Sequence, residues 1–490
     1  MQVNKRYTGK YQGFAKLGFI GLGLILGLML SLTYSALADK MVKQQLPLDD
    51  LRAFAEVFGK IKSDYVEPVE DKKLLSEAIS GMLTGLDPHS TYLDPDSFKD
   101  MQASTQGEFG GLGIEVGMED GLVKVVSPIE DTPAYKAGIK TGDLIVKLDD
   151  TPVKGMNLND AVKKMRGKPD TPIVLTVLRK NEAKPLVFTL TRAVIKNKSV
   201  KYKLTEPGYA YARVTQFQEH TGEDLAKAIK LMHDENKGPF KGFVLDLRND
   251  PGGLLNGAVG VAAAFLPKGD LVVYTEGRAP DSKMQLTASP ENYARGGIAN
   301  DYIRDLPDDM KTVPMVVLIN AGSASASEIV AGALQDHKRA TLIGIQSFGK
   351  GSVQTIMPMN NGAAIKLTTA RYFTPNGRSI QAKGIVPDYI VEDGTDQSGN
   401  IHEADLTRHL ANPKDPKAGE KVEITPAKEV AKEKANEKKF AETAPIEPAS
   451  KDDIQFAQAM NFLKGKPVMK TEPQKIEANS AAPAKTEKAN

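Results

Sequence analysis

NAGSASASEIVAGALQ, from Asn320 to Gln335, sets three serines among glycine and alanine at the point where a strand pattern gives way to a helix pattern. Upstream, PMVVLI from Pro314 to Ile319 is a continuous apolar run of the length of a strand buried on both faces. Downstream, Ser327 and Glu328 followed by Ile329, Val330, Ala333 and Leu334 read as the first turns of a helix. Ser325 is the candidate nucleophile, because a serine at such a junction can project its hydroxyl into a cleft beside the free N–H groups of a helix N-terminus. The small residues Gly322, Ala324 and Ala326 also suit a tightly packed helix, so this stretch alone leaves packing and catalysis both open.

Further along, ATLIGI, Ala340 to Ile345, reads as a strand and runs into QSFGKGSVQT, where Lys350 lies between two glycines and Gln354 follows. A lysine on a glycine loop is ordinarily a solvated surface residue. Taken together, GSASASEI and FGKG with its following Gln resemble the serine-lysine carboxyl-terminal processing peptidases, or tail-specific proteases. The separation of Ser325 from Lys350 matches that family's spacing between nucleophile and lysine, and the resemblance extends from about Leu51 to Val391. It implies an α/β protease core similar to the Clp protease and crotonase architecture. Within that core it implies Ser325 as nucleophile, Lys350 as base and Gln354 as the residue that orients the lysine. The glycine pair after GFVLDLRND, Gly252 and Gly253, would supply one oxyanion N–H and Ala326 the other. Read locally, Pro251-Gly252-Gly253 is equally a tight turn, and the choice between the two glycines stays open.

Between Gly107 and Arg192 the pattern changes. Gly111-Leu112-Gly113-Ile114 resembles the carboxylate-binding loop of PDZ domains, and SPIEDTPAYKAGIKTGDLIVKLDD, Ser127 to Asp150, resembles their short helix, glycine turn and following strand. NDAVKKMRG then supplies a groove helix and IVLTVLR, Ile173 to Arg179, a closing strand. Successive N–H groups of such a loop hold a terminal carboxylate while the peptide adds a strand to the sheet edge, so this domain is expected to read free C-terminal tails. In the turn after the groove helix, Arg166 lies where some members of the family use an arginine to sense the active site; a solvated arginine is the plainer reading.

Elsewhere the chain is punctuated by composition. Residues 1–38 carry Lys5, Arg6, Lys10 and Lys16, the apolar run Leu17 to Leu32 and Ala36-Leu37-Ala38, the pattern of a cleaved signal peptide or a membrane anchor. The expected location is therefore the periplasm, either soluble after cleavage or anchored to the inner membrane. Residues 47–105 read as a helical segment, with Leu51, Phe54, Val57, Phe58 and Ile61 at helical spacing and a Leu86 to Ser90 turn. His89 in that turn could serve as a base, but capping the turn is the plainer reading, and the family resemblance implies that the segment is structural. Residues 106–192 form the PDZ domain and 193–393 the protease core, whose further strands are Ala363 to Thr374 and Gly377 to Val391. From 394 to 490 Lys, Glu, Ala and Pro dominate a largely disordered tail. Two helical islands interrupt it, His402 to Leu410 and Asp453 to Gly465, able to dock on the core or on a second subunit.

With 490 residues and 41% hydrophobic residues the chain has ample material for about three domains, and its net charge of +2 makes no case for nucleic acid. Absence of Cys excludes disulfides and thiol catalysis, and His220, His233, His337, His402 and His409 lie in no metal-ligand spacing. No cofactor or metal is expected. A trypsin-like protease with a PDZ domain is disfavoured because no serine sits in a GNSGG-type setting. The reading is an exported serine endopeptidase acting on protein substrates with free C-termini, in bacteria cell-wall hydrolases and envelope proteins by resemblance; an exported PDZ scaffold with an inert protease domain is the alternative. Homo-oligomerisation and an adaptor protein remain open.

Overall fold

The computed structural model describes residues 47–393, 400–415 and 447–469, apart from positions 120, 130, 181, 183 and 197. The apolar run and small-residue pattern of residues 1–38, and most of the tail, lie outside the described residues. No helix among the described residues is long and apolar enough to cross a membrane.

The described residues divide into two compact units, one ending at Leu75 and one starting at Ser76. In the first, α1 (Leu48–Asp64) carries Leu51, Phe54 and Val57 at helical spacing, and none of its side chains is buried. α2 (Asp71–Thr84) follows, then β1 (Thr91–Leu93) and α3 (Pro95–Gln106), which starts on an Asp94 cap and stops at Gly107 with φ 77°.

β2 (Glu108–Gly111) enters the PDZ domain and β9 (Ala193–Lys196) leaves it, and the two pair antiparallel as a stalk. Between them lie β3 (Ile114–Glu119), β4 (Leu122–Pro128), α4 (Pro133–Lys136), β5 (Leu144–Leu148), β6 (Thr151–Pro152), α5 (Leu158–Met165), β7 (Pro172–Leu178) and β8 (Leu186–Thr191). The strands form one antiparallel sheet in the order β3-β4-β5-β7-β8, with β6 on β5, around a core of its own that includes Val123, Ile145, Leu175 and Ala161. Arg192 staples the end of α5 to the stalk, donating to the carbonyls of Lys164 and Met165.

The protease core continues with β10 (Val200–Glu206), β11 (Tyr209–Val214), α6 (Thr221–Asn236), β12 (Gly242–Asp246), α7 (Leu255–Ala263), β13 (Leu271–Gly277), β14 (Gln285–Thr287) and α8 (Pro290–Tyr293). β15 (Met315–Ile319), α9 (Ala326–Asp336), β16 (Thr341–Gly344), β17 (Ser352–Pro358), β18 (Ala364–Phe373) and β19 (Tyr389–Ile390) follow, and α10 (Ile454–Leu463) comes from the tail. The central sheet runs β10-β11-β12-β15-β16-β19, parallel from β11 onward. Both faces are covered, which is why β12 and β15 are buried at every position. Phe243, Leu245, Val317 and Ile319 point to the layer that includes α6, α7 and α9; Val244, Val316 and Leu318 point to α10. A second sheet sets β17 and β13 on either side of β18.

Two expected elements differ. His402 to Leu410 holds only a three-residue 3-10 turn, Glu403–Asp405, because Glu403 N–H bonds the Phe348 carbonyl, the Glu403 side chain is buried and Arg408 takes φ 62°. Tertiary bonds there override helical spacing. Gly377 to Val391 yields only the two-residue β19, since much of its backbone bonds the loop after β16: Ala382 N–H to Gly349 O, and Ser347 N–H to Ile385 O. Asp453 to Gly465 does form the expected helix, docked on the core.

Candidate active site

Three loops converge at the carboxyl ends of the parallel strands, where open α/β sheets place their sites. After β15 the chain turns at Ser325, the N-cap of α9, with φ 55° and ψ −111°. A serine with this backbone is strained and needs its surroundings to hold it. Ser325 N–H donates to Glu328 Oε2 at 2.8 Å, Ala324 N–H to the Asp250 carbonyl at 3.0 Å, and Ser327 Oγ to the same carbonyl at 2.9 Å. From the other side Gly252 closes against the turn: a methyl group there would stand 2.8 Å from Ser325 Cβ and 2.9 Å from Ala326 N. Only glycine lets these two loops meet so closely.

The loop after β16 is tied to the same helix by one carboxylate. Glu328 is fully buried and accepts four hydrogen bonds, from Ser325 N–H (2.8 Å), Lys350 N–H (2.9 Å), Gly349 N–H (2.7 Å) and Ser347 Oγ (2.6 Å). Burial pushes its carboxyl up to about 7, against those four bonds. The sequence carried a signal for it, since Ser325-x-x-Glu328 has the spacing of a capping box, but local pattern did not show that its oxygens also reach the lysine loop.

Lys350 is half-buried, and burial draws its ammonium down to about 8, helped by the positive charge of Lys366. Glu403, Glu328 and Asp87 all act on it in the opposite sense, and burial prevails. Lys366 stands opposite Ile356 in the β17–β18 ladder, on the face that carries Gln354 and Thr368. Gln354 donates to Ser352 Oγ (3.0 Å) and Thr368 Oγ1 (3.2 Å), which in turn donates to Asp87. His89, in the turn begun by Asp87, meets Glu403 at 2.8 Å; Glu403 accepts from Gln381, whose Oε1 accepts Gly351 N–H. The histidine is thus part of the scaffold under the lysine loop.

Sequence reasoning missed Tyr372. Buried on β18, it bonds the Lys350 carbonyl with its hydroxyl and the Gly351 carbonyl with its N–H, and its hydroxyl also meets the Ser325 side chain. Among the described residues no direct hydrogen bond joins Ser325 Oγ to Lys350 Nζ, so the pair is linked through Glu328 and Tyr372.

For an oxyanion, Gly252 N–H is already committed to Asp250 Oδ1 at 2.8 Å. Gly252 O and Leu254 N–H both bond Phe217, which turns Gly253 N–H to the opposite side, and Ala326 N–H stands at the first helical position without an intrahelical acceptor. Asp250, buried with Oδ2 unpartnered, is pushed up to about 8 by that burial.

In the PDZ domain a groove is lined by Phe109, Gly111, Leu112, Gly113, Ile114, Val116, Val162, Met165 and Arg166. Leu112 O accepts from Ala134 N–H and Gly113 O from Ile129 N–H. In a trans peptide the N–H opposes the carbonyl, so the Gly113 and Ile114 N–H groups face away from those bonds. The Arg166 guanidinium stacks on the Phe109 ring, 4.7 Å from its centroid.

Residues 208–391 match peptidase family S41, 110–189 the PDZ domain and 28–97 the activating protease CtpB N-terminal domain. A carboxy-terminal-processing protease of Bartonella bacilliformis is 44% identical over 451 residues, covering 90% of this chain and 95% of that protein. Carboxy-terminal processing protease CtpB of Bacillus subtilis is 37% identical over 336 residues, 68% of this chain and 66% of that one. Among solved structures, the photosystem II D1 C-terminal processing protease is 29% identical with a TM-score of 0.40, covering 67% of this chain and 84% of that one. With a PDZ domain inserted before an S41 core, and near full-length similarity to a processing protease, this chain belongs to the carboxy-terminal processing proteases of peptidase family S41.

Proposed function

We propose that this serine peptidase is exported, binds the free C-terminal tail of a protein substrate in its PDZ groove, and cleaves with Ser325 and Lys350. Neutral Lys350 takes the Ser325 proton as the hydroxyl attacks the peptide carbonyl, then returns it to the leaving amine. Ala326 and Gly253 N–H hold the oxyanion, and Gln354 fixes the face of the β17–β18 ladder that adjoins the lysine. The observation that carries the reading is Glu328, one buried carboxylate bonded to the backbone N–H of both Ser325 and Lys350. Export rests on the basic, apolar and small-residue pattern of residues 1–38.

Ser325→Ala and Lys350→Ala should each abolish hydrolysis of a peptide with a free carboxyl end while melting normally. Lys350→Arg should fail as well, because a guanidinium keeps its proton at usable pH. Turnover near wild type in any of the three would refute the pair.

A further inference from the structure

We infer that the C-terminal segment 447–469 is a positioning element of the protease, and that its Asp453 holds the arginine from which the oxyanion loop departs. Residues 416–446 separate this segment from the rest of the core in sequence, and it lies beyond the stretch matched to the peptidase family, 208–391. Nevertheless α10 packs on one face of the central sheet, with Phe456, Ala459 and Met460 against Tyr211, Val244, Val316 and Leu318.

At the N-terminus of α10 the contact turns from apolar to ionic. Arg248 Nη1 and Nη2 donate to the two oxygens of Asp453 at 2.8 and 2.6 Å, and Nη1 also donates to Gln455 Oε1 at 3.0 Å. The other edge of the same guanidinium, with Nε, bonds Asp246 at the end of β12. All four side chains are buried, so this arginine has no solvent-facing alternative. Its backbone continues directly into Asn249, held at φ 55° by Asn320, then Asp250, Gly252 and Gly253. Shifting Arg248 therefore shifts the loop that closes on Ser325 and carries the oxyanion N–H, where small displacements are costly to rate and nearly silent in ground-state binding.

This inference rests on the site reading above. In the full-length protein, Asp453→Asn keeps an N-cap for α10 but weakens the fork to Arg248. It should lower kcat by roughly tenfold or more with KM within about twofold, measured well below the melting temperature. Asp453→Glu, which restores the charge, should recover part of the loss. Lys464→Ala, which removes an exposed ion pair from the same helix to Glu206, should leave kcat unchanged. Should Asp453→Asn not fold, Gln455→Leu carries the test, with lower kcat at steady KM in support and normal kcat against. Normal kcat in folded Asp453→Asn overturns the inference, and so does an equal loss in Lys464→Ala, since the effect would then follow helix stability. Cleavage by Ser325→Ala would instead overturn the site assignment, a result that no Asp453 outcome mimics.

Discussion

To act as the proposed base Lys350 must be neutral, and an ordinary lysine at about 10.4 is neutral in very few molecules at working pH. Burial first and Lys366 second bring it to about 8, while Glu403, Glu328 and Asp87 resist. The sign of the rate profile follows: kcat/KM should rise with pH and level off above about 8. Replacing Lys366 by Met removes a charge that disfavours the Lys350 ammonium, so the rising limb should move to higher pH. The variant should then be slow near neutrality and approach wild type at alkaline pH. Profiles of kcat/KM for the two proteins, taken under identical ionic strength, decide it; superimposable limbs would remove Lys366 from the account.

Among the elements, the loop joining β2 to β3 has the most demanding geometry. Gly113 has φ 76°, and a methyl group there would lie 2.2 Å from Thr132 Cβ. Gly113→Ala must therefore distort the loop that lines the groove. A charge-assisted bond to a carboxylate contributes about 1.5–3 kcal/mol, so the wild type should prefer a free-acid peptide over its amide by roughly tenfold or more. The Gly113→Ala protein should cleave both alike, and the ratio of kcat/KM values measures it; a preserved ratio would show that tails are read elsewhere. This loop was legible in sequence because Gly111-Leu112-Gly113-Ile114 is a local pattern, as were the strand before Ser325 and the glycines around Lys350. The supports were not legible. His89 meets Glu403 across 314 residues of chain and Arg248 meets Asp453 across 205, distances over which neither periodicity nor spacing carries information. His402 to Leu410 misled for the same reason, since a helical pattern was outweighed by bonds to the lysine loop.

Taken as a whole, the protease core is closed by α10, and its attachment should respond to acid. Burial alone would raise the Asp453 carboxyl, but hydrogen bonds and charge from Arg248 outweigh it and hold the group below its ordinary 3.8. Asp87 is likewise held low against burial, by Ser90, His89 and Thr368. A carboxyl lowered in the folded state contributes stability that is complete above 3.8 and lost as pH falls through its folded value. Glu328 has the opposite sign: raised to about 7 by burial, it contributes fully below 4.5 and loses that contribution as pH rises through about 7. Together these groups shape a melting temperature that declines on both sides of about pH 5. The acid limb belongs in part to the Arg248–Asp453 pair, so Asp453→Asn should start lower at pH 5 and lose less on going to about pH 3. Glu328→Gln, which cannot ionise, should in the same way flatten the limb between about pH 5 and 8. Calorimetric melts at those three values, on wild type and both variants, test the two limbs separately. An acid limb as steep in Asp453→Asn as in wild type would mean that the tail is held on the sheet by its apolar face alone.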